Sequence, residues 1–189
     1  MRDAQPPSGL TSEAGVPRIL IVDDVADNRE ILARRFRKRG FDIVEAGGGI
    51  EALKHIAAGE FDLVFLDILM PDLDGYEVLK SIRQRPALAD MPIIMVTAKT
   101  GSDDVVKALT LGANDFVTKP VDFAIVTARA DLHLAQRRSV KSVRAAAESL
   151  KTKNRELVRR IEESEGAKQK LQDKVDELQP PLARHALLR

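Results

Sequence analysis

The chain has 189 residues, of which 44% are hydrophobic and 31% are charged, and its net charge is +1. These values predict a folded domain of ordinary size with an appendage, and they argue against a general attraction to nucleic acid or membrane. No apolar run approaches the ~20 residues that span a bilayer, and the N-terminus lacks the apolar core of a signal peptide. The absence of cysteine excludes disulfides and thiolate metal sites, and it fits a cytoplasmic protein.

Residues 1–17 contain three of the nine prolines and two glycines, so we expect a disordered leader there. The first apolar run, Ile19–Val22, predicts a buried strand that Asp23 and Asp24 follow directly. A helix comes next, for which Asp24 or Asp27 is the expected N-cap.

Gly40 is expected to end this first helix, and residues 41–45 predict a strand near the edge of a sheet. Gly47–Gly49 precedes a second helix, which Gly59 closes. The glycine run lacks the spacing of a phosphate-binding loop, so we interpret it as a turn that leads into the helix.

A central strand is predicted by four apolar residues, Leu63–Leu66, that end in Asp67. Turn-forming residues follow at Pro71, Asp74 and Gly75. Open α/β sheets bind ligands at the carboxyl ends of their strands, where a carboxylate serves as a metal ligand or as a nucleophile.

Three further helical patterns and two further strand patterns follow Asp67, so that strands and helices alternate along the chain. They predict a helix over Tyr76–Arg83, a strand over Met91–Thr97, a helix over Gly101–Leu111, a strand over Asn114–Thr118 and a last helix that Asp122 can cap. The expected core-facing residues of the 101–111 helix are Val105, Val106, Leu109 and Leu111.

Five strand patterns and five helical patterns thus alternate within a domain that we predict over residues 18–135. This alternation predicts a doubly wound, five-stranded parallel sheet with helices on both faces. The carboxyl ends of parallel strands share one edge, so five polar side chains are expected to converge there. They are Asp23, Asp24, Asp67, Thr97 and Lys119.

The chemistry of this set indicates metal-assisted phosphoryl transfer. Three close carboxylates repel one another unless a cation lies among them, and oxygen ligands without Cys or His favour Mg²⁺. Lys119 would supply a second positive charge to a phosphoryl group, and Thr97 would supply a hydroxyl donor. A carboxylate nucleophile needs no general base, so we predict that Asp67 is phosphorylated.

Four short motifs at the predicted strand ends narrow the class. They are Ile21–Asp24, Leu66–Gly75, Val96–Ala98 and Lys119–Pro120. Each motif alone is weak, but together, in this order and spacing, they resemble the receiver domain of two-component response regulators. The resemblance implies the flavodoxin-like strand order 2-1-3-4-5.

The resemblance also implies roles for single residues. Asp67 would accept a phosphoryl group from a phosphohistidine on a sensor histidine kinase or a histidine phosphotransfer protein. Asp24, Asp67 and the backbone carbonyl of Leu69 would bind Mg²⁺ directly, and Asp23 would act mainly through water.

Three further residues complete the implied site. Thr97, Ala98 and Lys119 would bind the phosphoryl group, with Thr97 and Phe116 as the switch residues, and the Lys119–Pro120 bond would be cis. The apolar side chain of Leu69 departs mildly from the family pattern. It borders the path of the attacking water, so the lifetime of the phosphoryl group stays open.

Each site residue, taken alone, also fits a structural role as a helix cap, a strand end, a surface lysine or a core aromatic. Their predicted convergence argues against these separate interpretations. The three histidines have no partners at metal-ligand spacing, and we expect them at the surface: His55, His133 and His185.

Residues 136–179 predict a coiled coil that continues the last helix. Its a positions are Val140, Ala147, Asn154, Ile161, Lys168 and Val175, and its d positions are Val143, Leu150, Leu157, Ser164, Leu171 and Leu178. One helix cannot bury so narrow a stripe by itself, so we predict a homodimer through this coil, to which a receiver face can add.

One polar residue at a core position predicts whether the two helices of the coil are parallel or antiparallel. Asn154 at an a position favours a parallel pair. Residues 136–160 carry nine basic and two acidic side chains, and residues 161–178 carry three and six, which would favour an antiparallel pair. We expect the parallel form, because surface ion pairs are weak and Arg160 and Glu165 would pair across it.

The basic half of the coil does not predict DNA binding, because its basic residues lie within the heptads and follow a globular domain. Pro180 ends the coil, and residues 180–189 are expected to be a tail or the start of an output domain.

Three functions are consistent with the sequence. The favoured one is a Mg²⁺-dependent receiver that passes a signal to a dimeric coil and is not itself an enzyme. A phosphorylation-independent dimerisation or docking scaffold is the second. A small aspartyl-phosphate phosphohydrolase is the third, although no substrate cap or second acid beside Asp67 is visible.

Overall fold

The computed structural model describes residues 15–98 and 101–178. The predictions for most of the leader and for residues 180–189 lie outside the described residues. The elements are β1 (Arg18–Val22), α1 (Ala26–Lys38), β2 (Asp42–Ala46), α2 (Gly49–Ala58), β3 (Leu63–Asp67), α3 (Gly75–Arg83), a 3-10 helix (Pro86–Leu88), β4 (Ile93–Thr97), α4 (Ser102–Thr110), β5 (Asp115–Thr118) and α5 (Phe123–Leu178).

Five parallel strands form one sheet in the order β2-β1-β3-β4-β5, which confirms the predicted doubly wound fold. β3 and β4 are buried along their whole length, and β2 lies at an edge as its weak pattern predicted. Val22 of β1 pairs with Leu66 of β3, and Thr97 of β4 pairs with Thr118 of β5. This register aligns the carboxyl ends of the strands at one edge.

Alternate residues of each strand enter two cores, one on each face of the sheet. Leu20 belongs to the core formed with α2, α3 and α4, whereas its neighbour Ile21 belongs to the core formed with α1 and α5. Phe36 of α1 is fully buried in the second core, where its ring lies 5.2 Å from that of Phe65. Helices therefore pack on both faces of the sheet, and the polar residues lie at its carboxyl edge.

Three of the four predicted helix boundaries at polar or glycine residues are confirmed, and one of them is Gly59, the C-cap of α2. Gly40 follows α1 with a φ of +85°, and the Asp122 carboxylate accepts hydrogen bonds from the first turn of α5. The cap predicted for α1 is wrong, because its N-cap is Val25 and no side chain caps it. Asp27 instead lies within the first turn, where the helix dipole favours a carboxylate.

The predicted core face of α4 is wrong in part. Ala108 is buried and Val105 is half-buried, whereas Val106 and Leu109 are 62% and 48% exposed. Val105 and Ala108 are three residues apart and share one face of the helix. Val106 and Leu109 form the adjacent stripe, which turns away from the sheet.

His133 on α5 is another correction, since it is 8% exposed rather than at the surface. Its Nε2 lies 3.2 Å from the carboxylate of Asp115 at the start of β5, and Arg129 forms an ion pair with the same carboxylate. No partner of His133 could be predicted from the sequence, because His133 and Asp115 are brought together only by the packing of α5 on β5.

α5 continues without a break for 56 residues. The chain divides into two compact units between Ser139 and Val140, and every described residue of the second unit is helical and exposed. Among the described residues, no helix combines the length and the apolar character needed to cross a membrane.

Candidate functional site

Four of the five polar residues predicted to converge lie close together at the carboxyl edge of the sheet. Carboxylate oxygens of Asp23, Asp24 and Asp67 all lie within 4.8 Å of one another. The ammonium of Lys119 lies 2.6 Å from carboxylate oxygens of both Asp23 and Asp67. Asp67 ends β3, while Asp23 and Lys119 directly follow the ends of β1 and β5, so the sheet itself sets these distances.

Thr97, the fifth residue, ends β4 and is fully buried. Its backbone carbonyl accepts a hydrogen bond of 2.8 Å from the N–H of Lys119, which ties the end of β4 to the loop after β5. Ala98 comes next and is exposed at the same edge. The structure thus places Thr97 at the end, and Ala98 just beyond the end, of the strand next to that of Asp67.

Asp23 is held by contacts that the sequence did not indicate. Its carboxylate accepts hydrogen bonds from the N–H of Val25 and from the side chain of Asn28, and its carbonyl accepts one from Arg29. Asn28 and Arg29 lie in the first turns of α1, five and six residues beyond Asp23. The sequence signal for these contacts is the polar pair Asn28 and Arg29, which follows the strand-end aspartate by five and six residues.

The two acidic neighbours differ in their access to solvent. Asp23 and Asp67 are each 3% exposed, whereas Asp24 lies exposed at the rim. A rim carboxylate is free to meet an incoming ion, while the buried pair cannot leave the site without breaking the Lys119 contacts.

The charges of the site oppose one another. Burial raises the pKa of Asp67 above its ordinary value, and the negative charge of Asp23 also raises it. The contact with Lys119 lowers this pKa but does not outweigh burial and Asp23. Burial disfavours the charged Lys119, but the hydrogen bonds to Asp23 and Asp67 outweigh it and raise the pKa of Lys119. Two buried carboxylates and one ammonium leave net negative charge, which a further cation would neutralise.

The loop after Asp67 is folded back tightly onto the end of β3. Gly75 donates its N–H to the carbonyl of Ile68 at 3.0 Å, and a Cβ at Gly75 would collide with the carbonyl oxygen of Asp67. Leu69 lies between these points, with its N–H 3.3 Å from the Asp67 carboxylate and its side chain 51% exposed. The loop therefore keeps the Leu69 backbone beside the acidic cluster.

The donor set fits a hard divalent cation. Its side-chain oxygens come from three carboxylates, one of them exposed, and no sulfur or imidazole lies among the clustered ligand atoms of the described residues. Carboxylate and carbonyl oxygens are the ligands that Mg²⁺ prefers. The acidic cluster that the resemblance implied is thus present, and its ligand atoms suit the ion.

Two implied features lie beside the cluster. The Lys119–Pro120 bond is cis, as the resemblance implied. Phe116 is half-buried in β5 and packs against the core of α2, α3 and α4. It also lines a surface pocket of ≈ 210 Å³, together with Pro120 and Ile125.

The fold and the residues at the carboxyl edge of the sheet together define a class of protein. It is a doubly wound domain in which a buried aspartate lies beside two further acidic residues and a lysine. Residues 19–131 match the family described as the response regulator receiver domain, and the chain belongs to this family. Acceptance of a phosphoryl group by an aspartate is typical of the family.

Curated relatives carry the same domain within longer proteins. The chain is 41% identical over 112 residues to the alkaline phosphatase synthesis transcriptional regulatory protein PhoP of Bacillus subtilis, covering 59% of this chain and 46% of that protein. It is 34% identical over 112 residues to the response regulator PleD of Caulobacter vibrioides, covering 59% and 25%. The chain spans less than half the length of these relatives.

Solved receiver domains have the same fold. A receiver domain protein from Methanospirillum hungatei superposes with a TM-score of 0.62 at 27% identity, covering 66% of this chain and 98% of that one. The receiver domain of the Francisella response regulator 1452 gives 0.60 at 28% identity, covering 64% and 98%. The family match ends at residue 131, before the second unit begins at Val140.

Proposed function

We propose that Asp67 accepts a phosphoryl group from a phosphohistidine of a sensor histidine kinase or a histidine phosphotransfer protein, in a reaction that requires Mg²⁺. The observation that carries this proposal is the Lys119 ammonium, which lies 2.6 Å from the buried carboxylate of Asp67. A buried carboxylate with a fixed cation beside it is arranged for charge stabilisation during transfer.

The reaction uses the Asp67 carboxylate as the nucleophile. One of its oxygens attacks phosphorus, the new O–P bond forms, and the P–N bond to the donor imidazole breaks with its electron pair on nitrogen. Lys119 then contacts a phosphoryl oxygen while keeping its ion pair with Asp23. Thr97, at the end of β4, supplies a hydroxyl donor to another oxygen.

Asp67 must be ionised to react, and both burial and Asp23 oppose its ionisation. Asp23, Asp24, Asp67 and the backbone carbonyl of Leu69 are the groups that would hold Mg²⁺. When bound, Mg²⁺ supplies positive charge to the carboxylates and to the phosphoryl oxygens. Asp24 is exposed and therefore accessible to the ion from solvent.

The signal leaves the site through Thr97, Phe116 and α5. Phe116 is half-buried and borders a pocket, so its ring has space into which it can turn when Thr97 moves toward the phosphoryl group. The changed face of β5 and α5 then alters the packing of a homodimer that the coil of residues 136–179 holds together. We place this switch in the cytoplasm, with any output activity outside residues 18–179.

Labelling with a small acyl phosphate and Mg²⁺ tests this function. The protein is expected to gain the mass of one phosphoryl group, to lose it on treatment with hydroxylamine, and to remain unlabelled in excess chelator. Asp67→Asn should abolish labelling. Asp27→Asn is the matched control, because Asp27 is exposed on α1 outside the cluster and its loss should leave labelling intact.

Two results would contradict the proposal. Unchanged labelling of Asp67→Asn would place the phosphoryl group elsewhere. Absence of labelling in the folded wild type, with partner binding independent of the phosphodonor, would favour the docking scaffold instead.

A further inference from the structure

The glycine run before α2 accommodates a side chain from another loop. The carboxylate of Asp72, in the β3–α3 loop, accepts hydrogen bonds of 3.1 Å from the N–H groups of both Gly49 and Ile50 at the start of α2. α2 has no cap of its own, because its N-cap residue is Gly48. Asp72 thus caps a helix from 22 and 23 residues away along the chain.

The approach of the two segments depends on missing side chains. A Cβ at Gly48 would lie 2.7 Å from an Asp72 carboxylate oxygen, and a Cβ at Gly49 would lie 2.5 Å from the carbonyl oxygen of Leu73. The glycine turn therefore leads into α2 and also leaves room for the β3–α3 loop. The hydrogen bond from Ile50 is the main cause of a lowered pKa for Asp72, so its carboxylate stays charged where the dipole of α2 favours it.

The same loop carries the backbone group expected to bind the metal. Leu69 is three residues before Asp72, and its exposed side chain does not anchor it in the core. The two ends of the loop are joined by the hydrogen bond from Gly75 to Ile68, and Asp74 caps α3. Asp72 supplies the hydrogen bonds that attach the middle of the loop to a different element.

We propose that Asp72 is a positioning residue for the Mg²⁺ site, because its attachment to the start of α2 fixes the loop that carries Leu69, whose N–H lies 3.3 Å from the Asp67 carboxylate and whose carbonyl is expected to bind the ion. This inference rests on the proposed function. Asp72 does not contact the ion or the phosphoryl group, and it acts through the backbone of Leu69. Residues that orient metal ligands commonly change metal affinity when they are replaced.

The test separates positioning from capping by using two variants of the full chain. Asp72→Ala removes both the cap and the attachment. Adding Gly48→Ser returns a local N-cap, since the φ of Gly48 is 179° and the three atoms nearest to an added Cβ all belong to the side chain of Asp72. The double variant therefore has a capped α2 and a loop that is no longer attached to it.

The measurements are the Mg²⁺ affinity by calorimetry and the rate of acyl phosphate labelling against Mg²⁺ concentration. Both are made at a temperature where circular dichroism shows all variants folded. The double variant is expected to regain thermal stability lost in Asp72→Ala, yet to need about tenfold more Mg²⁺ for half-saturation, at the low end of such effects. Its labelling rate at saturating Mg²⁺ should equal that of the wild type.

The outcomes distinguish this inference from the function on which it rests. A double variant with wild-type Mg²⁺ affinity, or a single variant with no change in affinity, would reduce Asp72 to a helix cap and overturn the inference alone. Wild-type protein that neither binds Mg²⁺ nor becomes labelled would overturn the proposed function as well.

Discussion

Asp23 and Asp67 share the ammonium of Lys119, and one cation cannot neutralise two buried carboxylates. The pKa of Asp67 is raised because burial and Asp23 outweigh the contact with Lys119. A group whose pKa is raised in the folded state stabilises the fold at low pH and loses that contribution as the pH rises through the folded pKa. At neutral pH the ionised Asp67 is therefore a cost to the fold.

Asp67→Asn is expected to stabilise the protein at neutral pH without Mg²⁺, by about 1 kcal/mol, as is common for substitutions that remove a functional charge. Lys119 keeps its ion pair with Asp23 in this variant. The gain should shrink as the pH falls toward the ordinary value of 3.8, because the wild-type carboxyl then becomes neutral too. Urea unfolding of both proteins at several pH values measures the difference.

Asp62→Asn is the control with the opposite sign. Asp62 accepts hydrogen bonds from the backbone of Arg18 and from the side chain of Arg137, so loss of its charge should lower stability. A destabilised Asp67→Asn, or a gain that is independent of pH, would show that Asp67 is not under electrostatic strain.

At the scale of elements, strands were easier to predict than helix faces. β1, β3 and β4 are continuous apolar runs because the sheet buries them on both faces, so any such run leads to the same assignment. In α4, two adjacent stripes, Val105 with Ala108 and Val106 with Leu109, offered the sequence two possible inner faces. Contact with the sheet decides between them, and that contact is not encoded locally.

The same distinction applies to the site. Residues placed directly by strand ends, such as Asp67 and Lys119, could be predicted to converge because the topology alone brings them to one edge. Contacts between separate loops could not be predicted. Asp72 caps α2 across 22 residues, and His133 meets Asp115 only once α5 packs on β5.

Arg137 anchors α5 to the opposite end of the sheet from the acidic cluster. Its guanidinium donates hydrogen bonds to the carbonyls of Phe61 and Asp90 and lies 3.4 Å from a carboxylate oxygen of Asp62, with only 11% of the side chain exposed. These acceptors lie before β3 and before β4. A planar guanidinium can reach all three, whereas a lysine ammonium cannot occupy the same positions.

Arg137→Lys is expected to lower the free energy of unfolding by about 2 kcal/mol, since hydrogen bonds from a charged group are lost and acceptors are left without a partner. Hydrogen exchange should accelerate in the segment of α5 around Leu134. Arg155→Lys, an exposed change in the second unit, is the control and should stay within about 0.5 kcal/mol of the wild type. Equal stability of the two variants would show that Arg137 is not an anchor.

At the scale of the whole molecule, the described residues of the second unit, 140–178, form no core of their own. Its described residues are all exposed, including large apolar residues at the a and d positions. A stripe with an apolar residue at most a and d positions is stable in water when a second helix covers it. The apolar stripe follows the receiver domain of residues 19–131 along the chain. A second copy of the chain that covers the stripe would therefore join two receivers.

We expect a parallel homodimer, and a label at one position measures its direction. The chain contains no cysteine, so Glu177→Cys, at an outer c position, gives a single site for a spin label. Two labels in a parallel pair should lie within about two helix diameters, roughly 20–25 Å. In an antiparallel pair, position 177 faces position 141, and a separation of about 54 Å follows from the helical rise.

Two variants in the labelled background show whether the distance comes from the coil. Leu157→Lys places a charge at a d position that is 55% exposed in the single chain, so it should leave the monomer folded and abolish the short distance. Thr152→Lys introduces the same charge at the outer f position and should preserve it. A separation near 54 Å would show that the opposite charges of the two halves of the coil outweigh Asn154, and a short distance that survives Leu157→Lys would place the dimer contact outside the heptad stripe.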